Sequence, residues 1–314
     1  MVQVDLITGF LGAGKTTFLR RYAAYLTAQG HHVCILENDF GAVNVDAMLV
    51  QDLLGERCEI ETISGGCDCD THQRRMRTKL IAMAMRGFDR VVVEPSGIFD
   101  VDEFFDVLRD DPLDRWYQIG NVIAIVDAML PETLSPQAEY ILASETANAG
   151  RVLLSRTKQA GPERCKAAAA HLTRALEGCK CSRRFAPEEI ITKDWADLTD
   201  EDLAAIAACG TRQASCEKLH FDEHEAFSSL CFLEQHLTLA QLQAAADRLF
   251  ADAACGHVLR VKGFAPDPQG ETGWLELNAT AAGKTLAPIP QGQDVLIVIG
   301  EGLDKAAIEA RLHG

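Results

Sequence analysis

Residues 9–16 read Gly-Phe-Leu-Gly-Ala-Gly-Lys-Thr, a complete match to GxxxxGK[ST]. They lie between a short apolar run, Val2 to Thr8, and an amphipathic stretch from Thr16 to about Gln29 that stops at Gly30. Strand, glycine turn and helix in that order make a backbone cradle for an anion. The glycines let successive N–H groups point inward, and the helix N-terminus adds positive potential. Lys15 then reaches the β- and γ-phosphates, and Thr16 coordinates Mg²⁺. Gly9, Gly12, Ala13, Gly14, Lys15, Thr16 and Thr17 are the expected polyphosphate contacts. A glycine turn that only capped a helix would leave Lys15, beside three glycines, unexplained. A dinucleotide fingerprint fails, since Thr17 stands where that pattern needs glycine or alanine.

Ligands of such folds gather at the C-terminal ends of parallel strands, and the following segments supply them. Short β-rich runs recur at Val33 to Glu37, Cys58 to Ile63, Arg90 to Glu94, Val122 to Asp127, Val152 to Ser155 and Ile190 to Lys193. Helical patterns fall between most of them, at Thr71 to Arg86, Val101 to Leu108, Pro136 to Ala149 and Pro162 to Leu176, with another at Asp200 to Ala208. Runs such as VVVE and VIAIVD lack polar alternation and suit strands covered on both faces. The predicted class is α/β: a mostly parallel P-loop NTPase sheet with helices on both faces. The rhythm changes near Cys209 to Ser215. Beyond it, strands are expected at Phe227 to Phe232, His257 to Phe264, Trp274 to Leu277 and Val295 to Ile299, with helices at Leu239 to Ala251 and Asp304 to Leu312. We assign 1–210 to the nucleotide-binding domain and 211–314 to a smaller α+β C-terminal domain.

A P-loop enzyme also needs an acidic residue after a second apolar strand. Val91-Val92-Val93-Glu94, followed by Pro95-Ser96-Gly97, provides it. Such a turn sets Glu94 near the metal and its water and the Gly97 amide toward the γ-phosphate. Asp127, after VIAIV, is a weaker candidate that reads equally well as a strand end. The formal charge of −16 disfavours nucleic acid and anionic membranes as partners, yet leaves room for a local phosphate pocket. The opening MVQVDLITGF has no basic n-region or cleavage site, and no 18 apolar residues run together, so a cytoplasmic location is expected. Eleven cysteines, an odd number, favour reduced thiols or metal ligands over a disulfide framework.

GFLGAGKTT, Glu37-Asn38-Asp39-Phe40-Gly41, Gly66-Cys67-Asp68-Cys69, Glu94-Pro95-Ser96-Gly97 and Val126-Asp127-Ala128 follow one another in an order and spacing that resembles the CobW-type branch of the P-loop GTPases, relatives of the urease and hydrogenase nickel-insertion GTPases. Arg260-Val261-Lys262-Gly263-Phe264 and the closing VLIVIGEGLD are similar to that family's C-terminal domain, so the likeness covers nearly the whole chain. It implies a nucleotide-driven metallochaperone or metal-trafficking protein that uses GTP and Mg²⁺, is often linked to Zn²⁺, serves a client metalloprotein and dimerises in some relatives. Lys15, Asp39, Glu94 and Gly97 are then the expected catalytic set, with Thr16 and Glu94 on Mg²⁺. Segments Glu37 to Gly41 and Glu94 to Asp100 would relax as switch loops on hydrolysis.

Two departures from the family pattern matter. Where relatives usually carry CxCC, this chain has Cys67-Asp68-Cys69-Asp70. Thiolates at i and i+2 can meet one cation, and Asp70, His72 or Glu37 can complete a tetrahedron of sulfur, nitrogen and oxygen donors. A carboxylate in the set leaves Co²⁺, Ni²⁺ or Fe²⁺ more open than three sulfurs would. The competing reading makes Asp70, three residues before Gln73, an N-cap for the helix that follows. Second, where the family reads NKxD, residues 155–158 are Ser155-Arg156-Thr157-Lys158. The first three remain candidate nucleotide contacts, with Arg156 able to cover a base face. Lys158 has donors only and cannot replace a carboxylate that accepts from guanine. GTP therefore rests on the resemblance, and ATP, or a weak choice between the two, stays open. So does a slow-turnover nucleotide-gated metal sensor or scaffold, because no arginine finger in cis is evident.

Other polar clusters carry less. Cys179 and Cys181 have ligand spacing but follow a helix end at Gly178, and His220 and His224 read as part of an exposed linker more readily than as ligands. Arg74, Arg75, Arg77 and Lys79 read as a solvated helix face.

Overall fold

Alternate residues of the central strands face opposite ways, and both sets are apolar. Val91 and Val93 join one buried cluster while Val92 joins another; Ala124 and Val126 join the first while Ile123 and Ile125 join the second. A strand with no polar face has to be covered twice, and here helices cover both faces. The computed structural model describes residues 1–314 apart from 11, 40–49, 51–52, 65–68, 96–100, 215, 218–227, 271–272, 282, 290–291 and 314; for 38, 39, 64, 69–72, 103 and 228 it describes the main chain.

Two compact units are present, Met1–Leu219 and His220–Gly314. In the first, β1 (Val2–Thr8), β2 (Val33–Asp39), β3 (Cys58–Ser64), β4 (Arg90–Glu94), β5 (Tyr117–Asp127), β6 (Arg151–Ser155) and β7 (Ile190–Ile191) form a seven-stranded sheet in the order β3-β2-β4-β1-β5-β6-β7. Every pairing is parallel. Helices α1 (Lys15–Ala28), α2 (Cys69–Ala84), α3 (Val101–Arg109), α4 (Leu113–Trp116), α5 (Pro136–Ala147), α6 (Thr157–Gly178) and α7 (Asp200–Ile206) complete it. Phe18, Leu19 and Tyr22 of α1 and Leu203 and Ile206 of α7 pack on one face. Met76 and Leu80 of α2, Phe104 of α3, Leu142 of α5 and Leu172 of α6 pack on the other. Within α6, Gly161 leaves helical geometry at φ 71°, and Pro162 starts the long regular part where the sequence indicated a first turn.

The strand β5 begins five residues before the expected Val122. Its pairing with β1 shifts register between Val4 and Leu6, and the irregularity accommodates Asp5, which is fully buried in the middle of a strand. Both Asp5 oxygens are satisfied. Tyr22 Oη donates to Oδ2 at 2.8 Å and Arg90 pairs with the same atom at 2.7 Å; the Asn121 main-chain and side-chain N–H groups donate to Oδ1 at 2.8 and 3.0 Å. A Cβ on Gly120 would lie 2.3 Å from Asp5 Oδ1, so glycine is needed there. Asn121 also receives the Gly210 amide at 2.8 Å, tying the segment after α7 to the sheet.

The second unit is antiparallel. Strands β8 (Ser228–Leu233), β9 (His257–Pro266), β10 (Trp274–Thr280), β11 (Gly283–Ile289) and β12 (Val295–Glu301) lie in the order β11-β10-β9-β12-β8. Helices α8 (Leu239–Ala251) and α9 (Lys305–Leu312) share its core through Leu242, Leu249, Ile308 and Leu312. Strand β11 is absent from the sequence reading. It is an edge strand, largely exposed and carrying Pro288, and so shows neither an apolar run nor an alternation. Among the described residues no helix is long and apolar enough to cross a membrane.

Candidate functional site

The loop after β1 turns back on glycine geometry that other residues cannot adopt. Gly9 has φ 138°, and a Cβ there would sit 2.1 Å from the Ile125 carbonyl oxygen of β5. Gly12 and Gly14 have φ 75° and 104°. Gly14 is the residue before α1, and no side chain caps that helix, so its first N–H groups are left for the loop's concave side. Lys15 is buried with its Nζ donating to the Gly9 carbonyl at 2.7 Å, across the loop it belongs to. Thr16 Oγ1 donates to Glu94 Oε1 at 2.9 Å, which brings the end of β4 against the start of α1. Glu37 of β2 stands beside Glu94 in the strand register, and both are buried. A loop turned on three positive-φ glycines, a lysine folded into it and an adjacent hydroxyl and carboxylate fit a polyphosphate with a hard divalent cation.

Ser155, Arg156, Thr157 and Lys158 follow β6. Arg156 takes a left-handed conformation, φ 54°, and its guanidinium joins two partners: Nη2 donates to the Gly12 carbonyl at 3.0 Å, and Nη1 is ion-paired with Asp127. Ser155 and Thr157 are buried, and Ser155 Oγ has no hydrogen-bond partner among the described residues. Lys158 is exposed and lies 3.2 Å from Asp194 Oδ1 and 3.4 Å from Asp197 Oδ2.

That acidic segment follows β7 and was missed in the sequence, where KDWAD carries no periodicity. It is fastened to the cradle. A Cβ on Gly14 would lie 3.1 Å from the Trp195 ring, which also meets Phe18 of α1 edge-on at 5.6 Å between centroids. Arg21 of α1 donates to the carbonyls of Trp195 and Leu198. The Ala196 amide, donating at 2.9 Å, and then Lys158 hold the Asp194 carboxyl below the usual carboxylate range.

Of the remaining expected site residues, Gly97 and Cys67 lie outside the described residues. Asp39 ends β2, while Cys69 and Asp70 occupy the first turn of α2; only their main chains are described. The helix thus starts one residue before Asp70, which stands inside its first turn and not at the preceding cap. Glu37 is the one candidate transition-metal ligand whose side chain is described. His220 and His224 lie outside the described residues. Cys179 and Cys181 are buried in the core beneath α6, and among the described residues no group of three or more His, Cys, Asp or Glu is placed to hold a metal. Lys79 pairs with Glu61 at 2.6 Å and Arg77 faces Asp110 at 3.8 Å, so part of the basic face of α2 is matched within the chain.

A family model for the CobW/HypB/UreG nucleotide-binding domain matches residues 3–183. The chain is 34% identical over 171 residues to zinc chaperone YjiA of Escherichia coli, covering 51% of each chain. It is 25% identical over 357 aligned positions to zinc chaperone CobW of Pseudomonas aeruginosa, covering 99% of this chain and 91% of that one. The chain spans about half or less of the length of the first curated relatives it matches. Among solved structures, zinc-bound YjiA GTPase from Escherichia coli is 23% identical, with a TM-score of 0.36 and coverage of 99% and 97%. A seven-stranded parallel sheet with the glycine cradle at the end of its central β1, together with a family match over more than half of the residues, makes this chain a member of the CobW/HypB/UreG family.

Proposed function

We propose that this protein binds and hydrolyses a nucleoside triphosphate and couples that cycle to the carriage of a divalent transition metal, as a metallochaperone for a client metalloprotein. The observation that carries the reading is the placement of Lys15, on the Gly9 carbonyl, and of Thr16, on the Glu94 carboxyl, at the Gly9–Gly14 turn. The main-chain amides of Gly12, Ala13, Gly14, Lys15, Thr16 and Thr17 hold the phosphates. Lys15 exchanges the Gly9 carbonyl for a phosphate oxygen. Thr16 and Glu94 would hold Mg²⁺, which when bound neutralises charge on the β- and γ-phosphates. Glu94 and Asp39 orient the water that attacks γ-phosphorus, and the Gly97 amide faces the γ-phosphate; the bond to the β-phosphate oxygen breaks and inorganic phosphate leaves. GTP is the first choice of substrate because related proteins are named as GTPases.

The metal is assigned to Cys67 and Cys69, with Asp70 and Glu37 completing its donors, and Zn²⁺ is supported by the relatives named zinc chaperones. Glu37 lies beside Glu94, so the nucleotide and metal assignments meet at the ends of β2 and β4. Coupling between them has to be reciprocal: triphosphate changes metal affinity by the factor by which metal changes triphosphate affinity.

Titration of the protein with GTP and ATP, each with and without Zn²⁺, tests this. Lys15→Ala abolishes triphosphate binding, and Cys67→Ser with Cys69→Ser abolishes only the zinc effect. Equal zinc affinity in the diphosphate and nonhydrolysable triphosphate states would remove the coupling. Phosphate release that stays at background with metal, Mg²⁺ and either nucleotide would leave a gated metal-binding protein in place of an enzyme.

A further inference from the structure

Lys158 stands where the family resemblance expects a base-reading aspartate, and a carboxylate from the next loop stands against it. Resting on the nucleotide-binding reading above, we propose that Asp194 is the specificity-determining acceptor for the base. It takes the N1–H and 2-amino donors of guanine, with Lys158 holding it in position.

The loop that carries Asp194 is placed for this role. The segments after β6 and β7 both reach the phosphate cradle, one through Arg156 on the Gly12 carbonyl and the other through the Trp195 ring against Gly14. A base whose phosphates lie in that cradle meets these two segments on its way out of the sheet. Arg21 of α1 donates to the Trp195 and Leu198 carbonyls, which ties the Asp194 loop to the helix that begins the cradle.

Its acceptor capacity is only partly used. Asp194 Oδ1 takes the Ala196 amide at 2.9 Å and lies 3.2 Å from Lys158 Nζ. No N–H or O–H among the described residues donates to Oδ2, and an ionised carboxylate has about four acceptor positions. The side chain is 23% exposed, which leaves an open approach. Guanine offers a carboxylate two adjacent donors. Adenine turns the N1 lone pair toward it, and hypoxanthine lacks the 2-amino donor. An acid at 194 beside the base at 158 would therefore keep a guanine preference for which the Ser155-Arg156-Thr157-Lys158 string, taken alone, offers no carboxylate.

Calorimetric titration of the full chain with Mg²⁺ and the diphosphates of guanosine, inosine, adenosine and xanthosine tests the proposal. The unaltered protein should bind GDP about tenfold or more tightly than ADP and IDP, the loss expected for one or two unmatched buried donors or acceptors. Asp194→Asn should lose about the same factor for GDP and gain affinity for XDP, because the amide NH₂ donates to the 2-oxo group while the amide oxygen still accepts from N1–H. The asparagine oxygen can also still accept the Ala196 amide, so the loop is preserved. Equal binding of GDP, IDP and ADP by the unaltered protein overturns the proposal, as does an Asp194→Asn protein with unchanged preferences. Should that variant not fold, the GDP against IDP comparison in the unaltered protein decides alone. Failure of all four nucleotides to bind would instead overturn the nucleotide-binding reading itself.

Discussion

Arg156 Nη2 donates to the Gly12 carbonyl oxygen at 3.0 Å, so a residue of the segment after β6 braces the phosphate cradle from outside. The same guanidinium is ion-paired with Asp127, whose Oδ1 receives the Met129 amide at 2.8 Å. The ends of β1, β5 and β6 are thereby joined through one side chain. Arg156→Ala should weaken Mg²⁺-nucleotide binding by about 5- to 150-fold, the equivalent of about 1 to 3 kcal/mol for a charge-assisted bond. Arg156→Lys should recover part of it, since an ammonium cannot span both partners as a fork does. A fluorescence titration reads the affinity; unchanged binding in Arg156→Ala would remove the bracing role.

Gly9→Ala tests the close approach of the cradle to β5. The added methyl would overlap the Ile125 main chain at a φ that alanine rarely adopts, and a loss on the order of 3 kcal/mol in urea unfolding is expected. Lys15→Ala at the same loop should by contrast melt close to the parent protein, since Lys15 contributes one hydrogen bond to the Gly9 carbonyl. Wild-type stability in Gly9→Ala would mean that the loop does not approach the Ile125 main chain this closely.

Asp5 is fully buried inside a strand, and its place there depends on its donors. Asp5→Ala leaves Arg90 and the Asn121 main-chain amide unmatched and should cost about 3 to 5 kcal/mol. Tyr22→Phe removes one donor and should cost about 1 kcal/mol. Denaturant midpoints measure both. A double variant less destabilised than the sum of the two would show that they act through the same carboxylate.

Burial pushes the Cys34 and Cys209 thiols up to about 12 and the Cys58 thiol to about 11. A thiol raised in the folded chain ionises first in the unfolded one. Stability from this source is complete below the ordinary value of 9.0 and is lost as pH rises from there toward 12. Urea midpoints should hold up to about pH 9 and fall beyond it. At neutral pH an alkylating reagent should leave these three thiols unmodified until the protein is unfolded, and rapid labelling of Cys34 in the native state would contradict its burial.

Local signals in the chain were enough to determine the cradle and the sheet that carries it. A strand buried on both faces has to be an unbroken apolar run, a turn at positive φ favours glycine, and a lysine directly after such glycines is the mark of a phosphate loop. All three conditions act over a few residues, which is why Val91 to Glu94 and Gly9 to Thr16 are legible without coordinates. The sequence also places Pro162 at the first turn of a helix, because proline lacks the amide that this position leaves unused. Tertiary structure decided which charges meet. Asp5 with Arg90, Arg156 with Asp127 and Gly12, and Lys158 with Asp194 are separated by tens of residues. No periodicity encodes such pairs, because a carboxylate finds its partner through the crossing of strands and loops and not through its place in a local repeat. Strand β11 escaped for a related reason: an exposed edge strand is specified by the neighbour it pairs with, here β10, more than by its own side chains.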